Sequence, residues 1–597
     1  MRNILLILVL FLAACSPKLE IPEQKNPNYT PPVPPVKEEV ENTDGSLSGT
    51  IIGTTYSVDY DNGNTSSQTV NTKKNVFDRD FNTYFASYER SNTWVGLDLG
   101  KKYVITKVGY APRTGYGNRV ELAIIQGANK ADFSDAVPIH MIKQAGADSQ
   151  MTYADVKCSR GFRYVRYVTP NDVRCNLAEL AFYGTEGEGD DSQLYQITNL
   201  PTVVINTDNG AEIASKVNEI PGTVYIISNG GKNLLVGEKS QLRGRGNASW
   251  NMPKKPYRIK FDKKQRVLDA PAEAKKWTLI NNYGDKTLMR NLVAFEISRR
   301  LGMPYTPYAQ PVDVIVNGEY KGCYQLCDQI DVKKGRVDIT EIKKNETSSA
   351  SQKGGYLIEI DAYYSTEQNY FLSNQNIPVT IKSPDEDVIT PEHKRYITNY
   401  FNEMERAVFA SNFTDELNGY RKYLDLDTFL RHFIVGELSG NTDTYWSVYM
   451  SKDRNSNKFL TGPVWDFDIA FDNDVRTYPV NNLNGFVYAT KGSVASGRVR
   501  DMVNRIVNED IKARNQLRTI WRTARNVELT AESLNKFVDQ MAKEMDESQR
   551  LNFKRWDILS QRVHENHQAL GSYSAEVNFL KDYISARLPR MDALIGY

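Results

Sequence analysis

Two acidic stretches in the second half of the chain carry the residue types from which phosphoryl-transfer chemistry can be built. The first reads Glu437-Leu438-Ser439-Gly440-Asn441-Thr442-Asp443. The second reads Gly462-Pro463-Val464-Trp465-Asp466-Phe467-Asp468, and a short strand is predicted between them over 447–450. Moving a phosphoryl group needs one carboxylate beside the attacking hydroxyl and another beside a metal that neutralises developing charge. The same text has an architectural reading, in which Trp465 and Phe467 pack a core while the acids cap turns.

A third stretch has the make-up of a phosphate cradle. Gln241-Leu242-Arg243-Gly244-Arg245-Gly246 leads through a turn into Pro253-Lys254-Lys255-Pro256-Tyr257-Arg258-Ile259-Lys260-Phe261. A Gly-containing hairpin of this kind can lay backbone N–H groups and cations over phosphates, although basic hairpins are usually solvated faces. Other chemistry is poorly supplied. Of five histidines only His564 and His567 are close in sequence, which argues against a histidine hydrolase or a catalytic zinc. Nothing singles out a glycosidase pair among the many carboxylates.

These residues need a scaffold, and 597 residues are too many for one core. With 74 basic and 73 acidic residues the net charge is +1, so no global field draws in nucleic acid. Arg2 followed by the apolar run 4–12 reads as an export signal, too short to span a bilayer. Residues 16–45 are Pro-rich and charged, the composition of a semi-extended tether. Residues 46–185 read as an all-β sandwich of short strands such as 94–99, 104–110, 120–126 and 163–168. Residues 186–194 are a polar linker. Residues 195–597 begin with mixed strands and helices and become helical after 390. The pattern there predicts a helix over 288–301, and another that starts at Thr428 with Asp427 as its cap. Tyr396, Tyr400, Met404 and Val408 recur at helical spacing. Of five cysteines, Cys158 and Cys175 flank a predicted hairpin and could pair in an oxidising compartment. Cys323 and Cys327 would lie about 13 Å apart along one strand, too far for a disulfide, and read as buried thiols.

Several of these segments resemble known families. Leu12-Ala13-Ala14-Cys15 resembles a bacterial lipobox, which implies that the Cys15 thiol receives a diacylglycerol. The text Lys275-Lys276-Trp277 through Asn281-Asn282-Tyr283-Gly284-Asp285-Lys286 to Arg290-Asn291 resembles the signature stretch of CotH domains, a family of atypical protein kinases. So do Leu301-Gly302-Met303-Pro304-Tyr305-Thr306-Pro307 and Val316-Asn317-Gly318-Glu319-Tyr320-Lys321-Gly322, where Asn317-Gly318 has the chemistry of a hairpin turn. The resemblance implies a divergent kinase-like α+β domain over 195–597 with a helical C-terminal region. It implies Asp443 as catalytic acid/base and Asp466 as the Mg²⁺ ligand, in the order of a kinase catalytic loop and metal-binding acid. Arg245, Lys255, Lys260, Asn441 and Asp468 are further candidates for holding ATP and metal. Asp328, where the family often has Glu, would pair with a phosphate-binding Lys. The kinase Asn for a second metal has no counterpart, because Val448 stands there; Asn441, Asp472 or Asn473 would have to serve.

The sandwich resembles the coagulation-factor discoidin family, which includes many carbohydrate-binding modules. The matching pieces are 77–83, 94–100, Tyr164-Val165-Arg166-Tyr167 and 178–184. That resemblance implies a structural Ca²⁺ held by Asp78, Asp80, Thr83 and Glu179. Arg79 stands where the family usually has Gly. Loop tyrosines Tyr84, Tyr88 and Tyr116 could stack on sugars or simply pack. The whole reads as a multidomain cell-envelope lipoprotein, periplasmic or surface-facing. Its Mg²⁺- or Mn²⁺-dependent kinase domain would phosphorylate protein Ser or Thr from ATP, targeted by a glycan-binding module, with the membrane met only through the lipid. The alternative is a non-catalytic surface adhesion or assembly protein.

Overall fold

The computed structural model describes residues 38–40, 44–231, 233–476, 485–489 and 497–597. The export signal, Cys15 and most of the tether lie outside these residues. Among the described residues no helix is long and apolar enough to cross a membrane.

The N-terminal part is all β. Strand β1 (Gly49–Gly53) lies beside a 19-residue strand, β2 (Trp94–Pro112). The first part of β2 pairs with β5 (Gly161–Val168), which continues to β3 (Ile124–Ala128) and β4 (Val137–Met141). Its second part pairs with β6 (Asn176–Glu186). One strand thus serves both halves, and the sheet wraps around a core that includes Val95, Leu97, Ile105, Val108 and Phe182. Cys158 and Cys175 flank the single strand β5 rather than a hairpin. Eight residues at ~3.3 Å each hold them ~26 Å apart, and all four described cysteines are buried free thiols.

A closed barrel follows, of seven strands: β7 (Thr202–Thr207), β8 (Ile220–Ser228), β9 (Asn233–Gly244), β10 (Tyr257–Gln265), β11 (Ala274–Ile280), β12 (Ala309–Val316) and β13 (Glu319–Asp328). Neighbours are antiparallel except β7 and β12, which close the barrel in parallel. Alternation decides where each side chain goes. Val203, Ile205, Val224 and Ile226 fill the barrel with Trp277, Leu279 and Leu326. Val204, Tyr225 and Ile227 point the other way and join the core of the sandwich. Burial on both faces explains the unbroken apolar runs in these strands. Each such side chain contributes roughly 1.5–3 kcal/mol on burial, so the sandwich and barrel are packed as one body.

The rest is largely helical around a five-stranded sheet, ordered β15 (Tyr370–Leu372), β16 (Pro378–Ser383), β14 (Tyr356–Asp361), β17 (Ser447–Lys452), β18 (Leu460–Thr461). Helix α1 (Arg290–Arg300) lies within the predicted span; the Asp285 carboxylate accepts from its first N–H at 2.8 Å. In α2 (Pro391–Phe409) Met404 and Val408 are buried, while Tyr396 and Tyr400 stack at its edge. Helix α3 (Leu426–Ser439) starts earlier than expected. Asp425, not Asp427, caps it by accepting from Thr428 N at 2.9 Å, and Asp427 pairs with Arg431 instead. Helices α4 (Gly497–Asn504), α5 (Ile511–Val527), α6 (Ala531–Glu544), α7 (Asp546–Arg555) and α8 (Tyr573–Ile595) complete the lobe.

Candidate functional site

Helix α3 stops at Gly440, whose φ of 64° is open to glycine at no steric cost. The chain then turns through a single 3-10 segment, Thr442–Tyr445, whose cap is Asn441. The Asn441 side chain accepts from Asp443 N at 3.2 Å and donates through Nδ2 to the carbonyl of Asp466 at 3.0 Å. One buried amide therefore clasps both acidic loops. The second loop is anchored from its other side. Phe467 is buried, and its N–H donates to Asn291 Oδ1 of α1 at 2.8 Å. Trp465 stacks on Phe295 of the same helix. Asp466 itself has φ 68°, a left-handed conformation that costs a non-glycine residue about 1–2 kcal/mol.

Asp443, Asp466 and Asp468 face one cleft of about 710 Å³ between the barrel and the helical lobe. Arg243, Arg245, Arg258 and Lys276 reach it from the barrel side. Arg245 lies 5.6 Å from the Trp465 ring centroid, which seats a cation above the acidic loop. The loop holding Arg245 depends on glycine: a Cβ on Gly244 would meet the Trp250 ring at 2.2 Å.

The electrostatics of the floor are those of crowded like charges. Burial raises the Asp443 pKa to about 6, with Arg476 working against the rise and Asp466 and Asp474 adding to it. Burial, then Asp468, pushes Asp466 up to about 7, while Arg245 and His564 pull it down. The Asp466 side chain still reaches water, so the push is that of a deep, like-charged cleft rather than a sealed one. Burial, Asp285 and Asp443 raise Asp468 to about 6. Three carboxylates with raised pKa values form a site that a cation relieves. Among the described residues no group of three His, Cys, Asp or Glu stands ready as a metal cage. Mg²⁺ is commonly held by one or two carboxylates together with phosphate oxygens and water; Asp466 and Asp468 are the residues here that could hold it.

Four of the other predicted residues lie elsewhere. Asn441 is buried behind the loops and acts on them rather than on the cleft. Lys255 donates to Trp250 O at 2.8 Å, and Lys260 pairs with Glu219 at 3.4 Å; neither lines the cleft. Lys255 precedes β10, and Lys260 shares a face with Arg258 but lies two residues further along the strand, opposite Lys276. Asp328 pairs with Arg336 at 2.8 Å, both fully buried, and also accepts from Tyr305 OH and Tyr308 N. Its partner is thus a structural arginine, not a phosphate-binding lysine. Of the second-metal candidates, Asn473 spends its amide on Gly284 O and Asp468 O, and Asp472 does not line the cleft.

The sequence reading missed Arg476 and the Glu359–Asp361 pair. Arg476 lies 3.4 Å from Asp443 and is fixed by buried Asp474 at 2.8 Å. Burial works against the Arg476 charge, but the Asp474 hydrogen bond and the two carboxylates outweigh it and raise its pKa. Glu359 and Asp361 of β14 reach the cleft, bridged by Lys382 of β16 at 3.1 and 3.7 Å. Their signal was present in Ile358-Glu359-Ile360-Asp361, where alternation puts both acids on one face.

The calcium set of the sandwich is replaced. Arg79 adopts the φ of 64° that the family's glycine would take, so the tight loop forms. Its guanidinium then donates to buried Glu179 at 3.0 Å, to Asp44 at 3.0 Å and to Ser46. Thr83 donates to Asp78 at 2.7 Å, and Asp80 accepts from Asn82. A fixed side-chain cation occupies the acidic corner, and the four residues do not fit a Ca²⁺ ion. Of the loop tyrosines, Tyr84 and Tyr116 pack on Arg113 at 3.8 and 4.4 Å, while Tyr88 remains exposed. Beside them Tyr60, Tyr116, Arg119 and Arg174 border a hollow of about 260 Å³.

Comparison with known proteins gives two results. Residues 242–591 match the family described as CotH kinase protein. Among solved structures, the N-terminal part is similar to CBM62 from Clostridium thermocellum Xyl5A, at 41% identity and TM-score 0.22, covering 24% of this chain and 97% of that one. It is also similar to a Streptococcus pneumoniae fucose binding module, at 17% identity and TM-score 0.19, covering 24% and 100%. A third is the C-terminal domain of a chitobiase from Bacteroides fragilis, at 18% identity and TM-score 0.19, covering 25% and 99%. The comparison with curated proteins found no match.

Proposed function

Because the chain belongs to the CotH kinase protein family, we propose that it transfers the terminal phosphoryl group of ATP to a Ser or Thr hydroxyl of a protein. The observation that carries this reading is the Asn441 clasp, which turns Asp443 and Asp466 into the same cleft. Bound Mg²⁺ supplies charge neutralisation at the phosphates. Asp466 and Asp468 would hold that ion. Arg245 and Lys276 stand on the barrel side, where polyphosphate oxygens need cations. Asp443 accepts the hydroxyl proton as the new O–P bond forms and the bond to the departing ADP oxygen breaks. Arg476 keeps Asp443 ionised and oriented. Purified chain incubated with labelled ATP and Mg²⁺ or Mn²⁺ should label protein, and Asp443→Ala or Asp466→Ala should each abolish labelling with the fold intact. A wild-type chain that neither binds nor hydrolyses nucleotide with either metal refutes the assignment.

The sandwich is read as the targeting module, with glycans as ligands at the Tyr60–Tyr116 hollow, where aromatic faces meet arginines. A glycan array probed with wild type and Tyr60→Ala tests it. The lipobox-like start supports export and lipid anchorage at Cys15. Loss of membrane association in Cys15→Ser is the expected result, and unchanged association would remove the anchor.

A further inference from the structure

Burial of arginine in this protein follows a rule with one exception. Arg290, Arg336 and Arg587 are each nearly inaccessible, and each faces a carboxylate: Asp285 at 2.6 Å, Asp328 at 2.8 Å and Glu437 at 3.7 Å. Arg166 of β5 is 9% exposed and makes no ion pair among the described residues. Its Nε and Nη2 both donate to one neutral atom, Gln126 Oε1, at 3.0 and 2.8 Å. Nη1 finds no protein acceptor there. The guanidinium lies 3.9 Å from the Phe133 ring centroid and 5.2 Å from that of Trp94. Aromatic faces soften the loss of water but do not replace a counter-ion.

Arg166 lines a hollow of about 440 Å³ at the junction of sandwich and barrel. The junction itself is firm. Asn206 Nδ2 donates to Ala136 O at 2.7 Å, and Thr223 Oγ1 donates to Ser134 O at 2.6 Å. The tip of the β12–β13 hairpin sits against Gln126, since a Cβ on Gly318 would meet Gln126 Oε1 at 2.6 Å. Trp94 and Phe133 form the sandwich wall, and Thr207 and Asn209 belong to the barrel wall. Two carboxylates also border the hollow: Glu319 is held by Arg555, Lys321 and Asn171, and Asp132, exposed at the rim, accepts from Ser134 N.

We infer that this junction is a binding site for a carboxylate-bearing sugar. A single guanidinium suits one carboxylate, which it can meet with charge-assisted hydrogen bonds. A half-buried Trp94 beside Phe133 offers the apolar surface that a pyranose face covers. The side-chain amides of Asn92 and Asn209, which have no partner among the described residues, can meet hydroxyls. The volume falls within the roughly 300–1,000 Å³ of small-ligand sites. Residues from both domains surround the ligand, so its binding adds to the clamp between them. This junction hollow is separate from the acidic cleft and from the Tyr60–Tyr116 hollow.

The test is titration of the full chain with D-galacturonate, followed by calorimetry and thermal shift, with D-galactose and inorganic phosphate as comparison ligands. Galacturonate is expected to bind saturably and to raise the Tm. Arg166→Gln should weaken it by about tenfold or more, and Asn209→Asp, which adds a rim charge at a left-handed position Asp tolerates, should weaken it as well. If Arg166→Gln does not fold, Asn209→Asp carries the comparison. Absence of saturable binding, affinity unchanged in the folded variants, or equal binding of phosphate or galactose would each overturn the assignment.

Discussion

Asn441 Nδ2 lies 3.0 Å from the carbonyl oxygen of Asp466, and that bond joins two loops that are far apart in sequence. The other end of the same amide accepts from Asp443 N. The residue never enters the cleft, yet it sets the spacing of the two acids that do. Asn441→Ala leaves a backbone donor and a carbonyl unpaired in a partly buried place, at a stability cost of about 1 kcal/mol. A misplacement near 1 Å lowers phosphoryl transfer by about 100-fold. The expected signature is a fall in kcat with little change in the KM for ATP, measured by steady-state kinetics. A variant that loses nucleotide affinity but keeps kcat would place Asn441 in the binding wall instead.

The acid limb of the rate profile should respond to Arg476. Asp443 must be ionised to accept a proton, so activity falls as pH drops through the cluster's apparent pKa values, about 6 and 7 for Asp443 and Asp466. Arg476 works against that rise. Arg476→Met removes the opposing charge and should move the acid limb to higher pH by about one unit. A kcat–pH profile that is merely lowered, with its limb unmoved, would mean that Arg476 shapes the loop without tuning Asp443.

Much of this arrangement was legible in sequence, and the gaps have physical causes. The acids of the two loops are local signals, since Gly440, Asn441 and the Trp465–Asp468 run determine their own turns. The mixture of strands and helices after residue 195 was legible, and so was α1 from its apolar spacing. Position along a strand was misjudged: Lys260 shares a face with Arg258 and Lys276, yet it pairs with Glu219 and stops short of the cleft that the other two line. Partners distant in sequence were invisible. Nothing local tells that Asp328 meets Arg336 or that Arg476 meets Asp443. The Asp425 cap was missed because Asp427, two residues on, is as good a cap by type, and only its pairing with Arg431 removes it from contention.

The raised carboxylates also make stability depend on pH. A folded-state pKa above the unfolded value means that the native state binds more protons between the two. The stabilisation is therefore complete below the ordinary Asp range and is lost as pH rises to about 7, the value for Asp466. Asp466→Asn removes this loss. Its Tm should exceed that of wild type at pH 8 and match it near pH 4, in scanning calorimetry without metal. Mg²⁺ with nucleotide should raise the wild-type Tm more than that of Asp466→Asn, because a ligand stabilises only the state it binds. A wild type more stable than Asp466→Asn at pH 8 without metal would show that the carboxylate is satisfied in some other way.

Arg79 offers the reverse case, a cation built into the chain. The Glu179 carboxylate is fully buried, and burial raises its pKa to about 7 despite the opposing hydrogen bond and charge of Arg79. The wild-type Tm should therefore be indifferent to Ca²⁺ and to chelator. Arg79→Gly relieves the left-handed backbone but leaves Glu179 and Asp44 facing each other without a counter-charge. Losing one partner of a buried pair costs about 3–5 kcal/mol. Arg79 is 30% exposed, so partial screening and the relieved backbone bring the expected net loss to about 2 kcal/mol. With the glycine in place, the corner regains the oxygen donors that a hard cation prefers. Millimolar Ca²⁺ should then restore part of the lost Tm in Arg79→Gly and none in wild type. A wild-type Tm that falls on chelation would show that the guanidinium does not replace the ion.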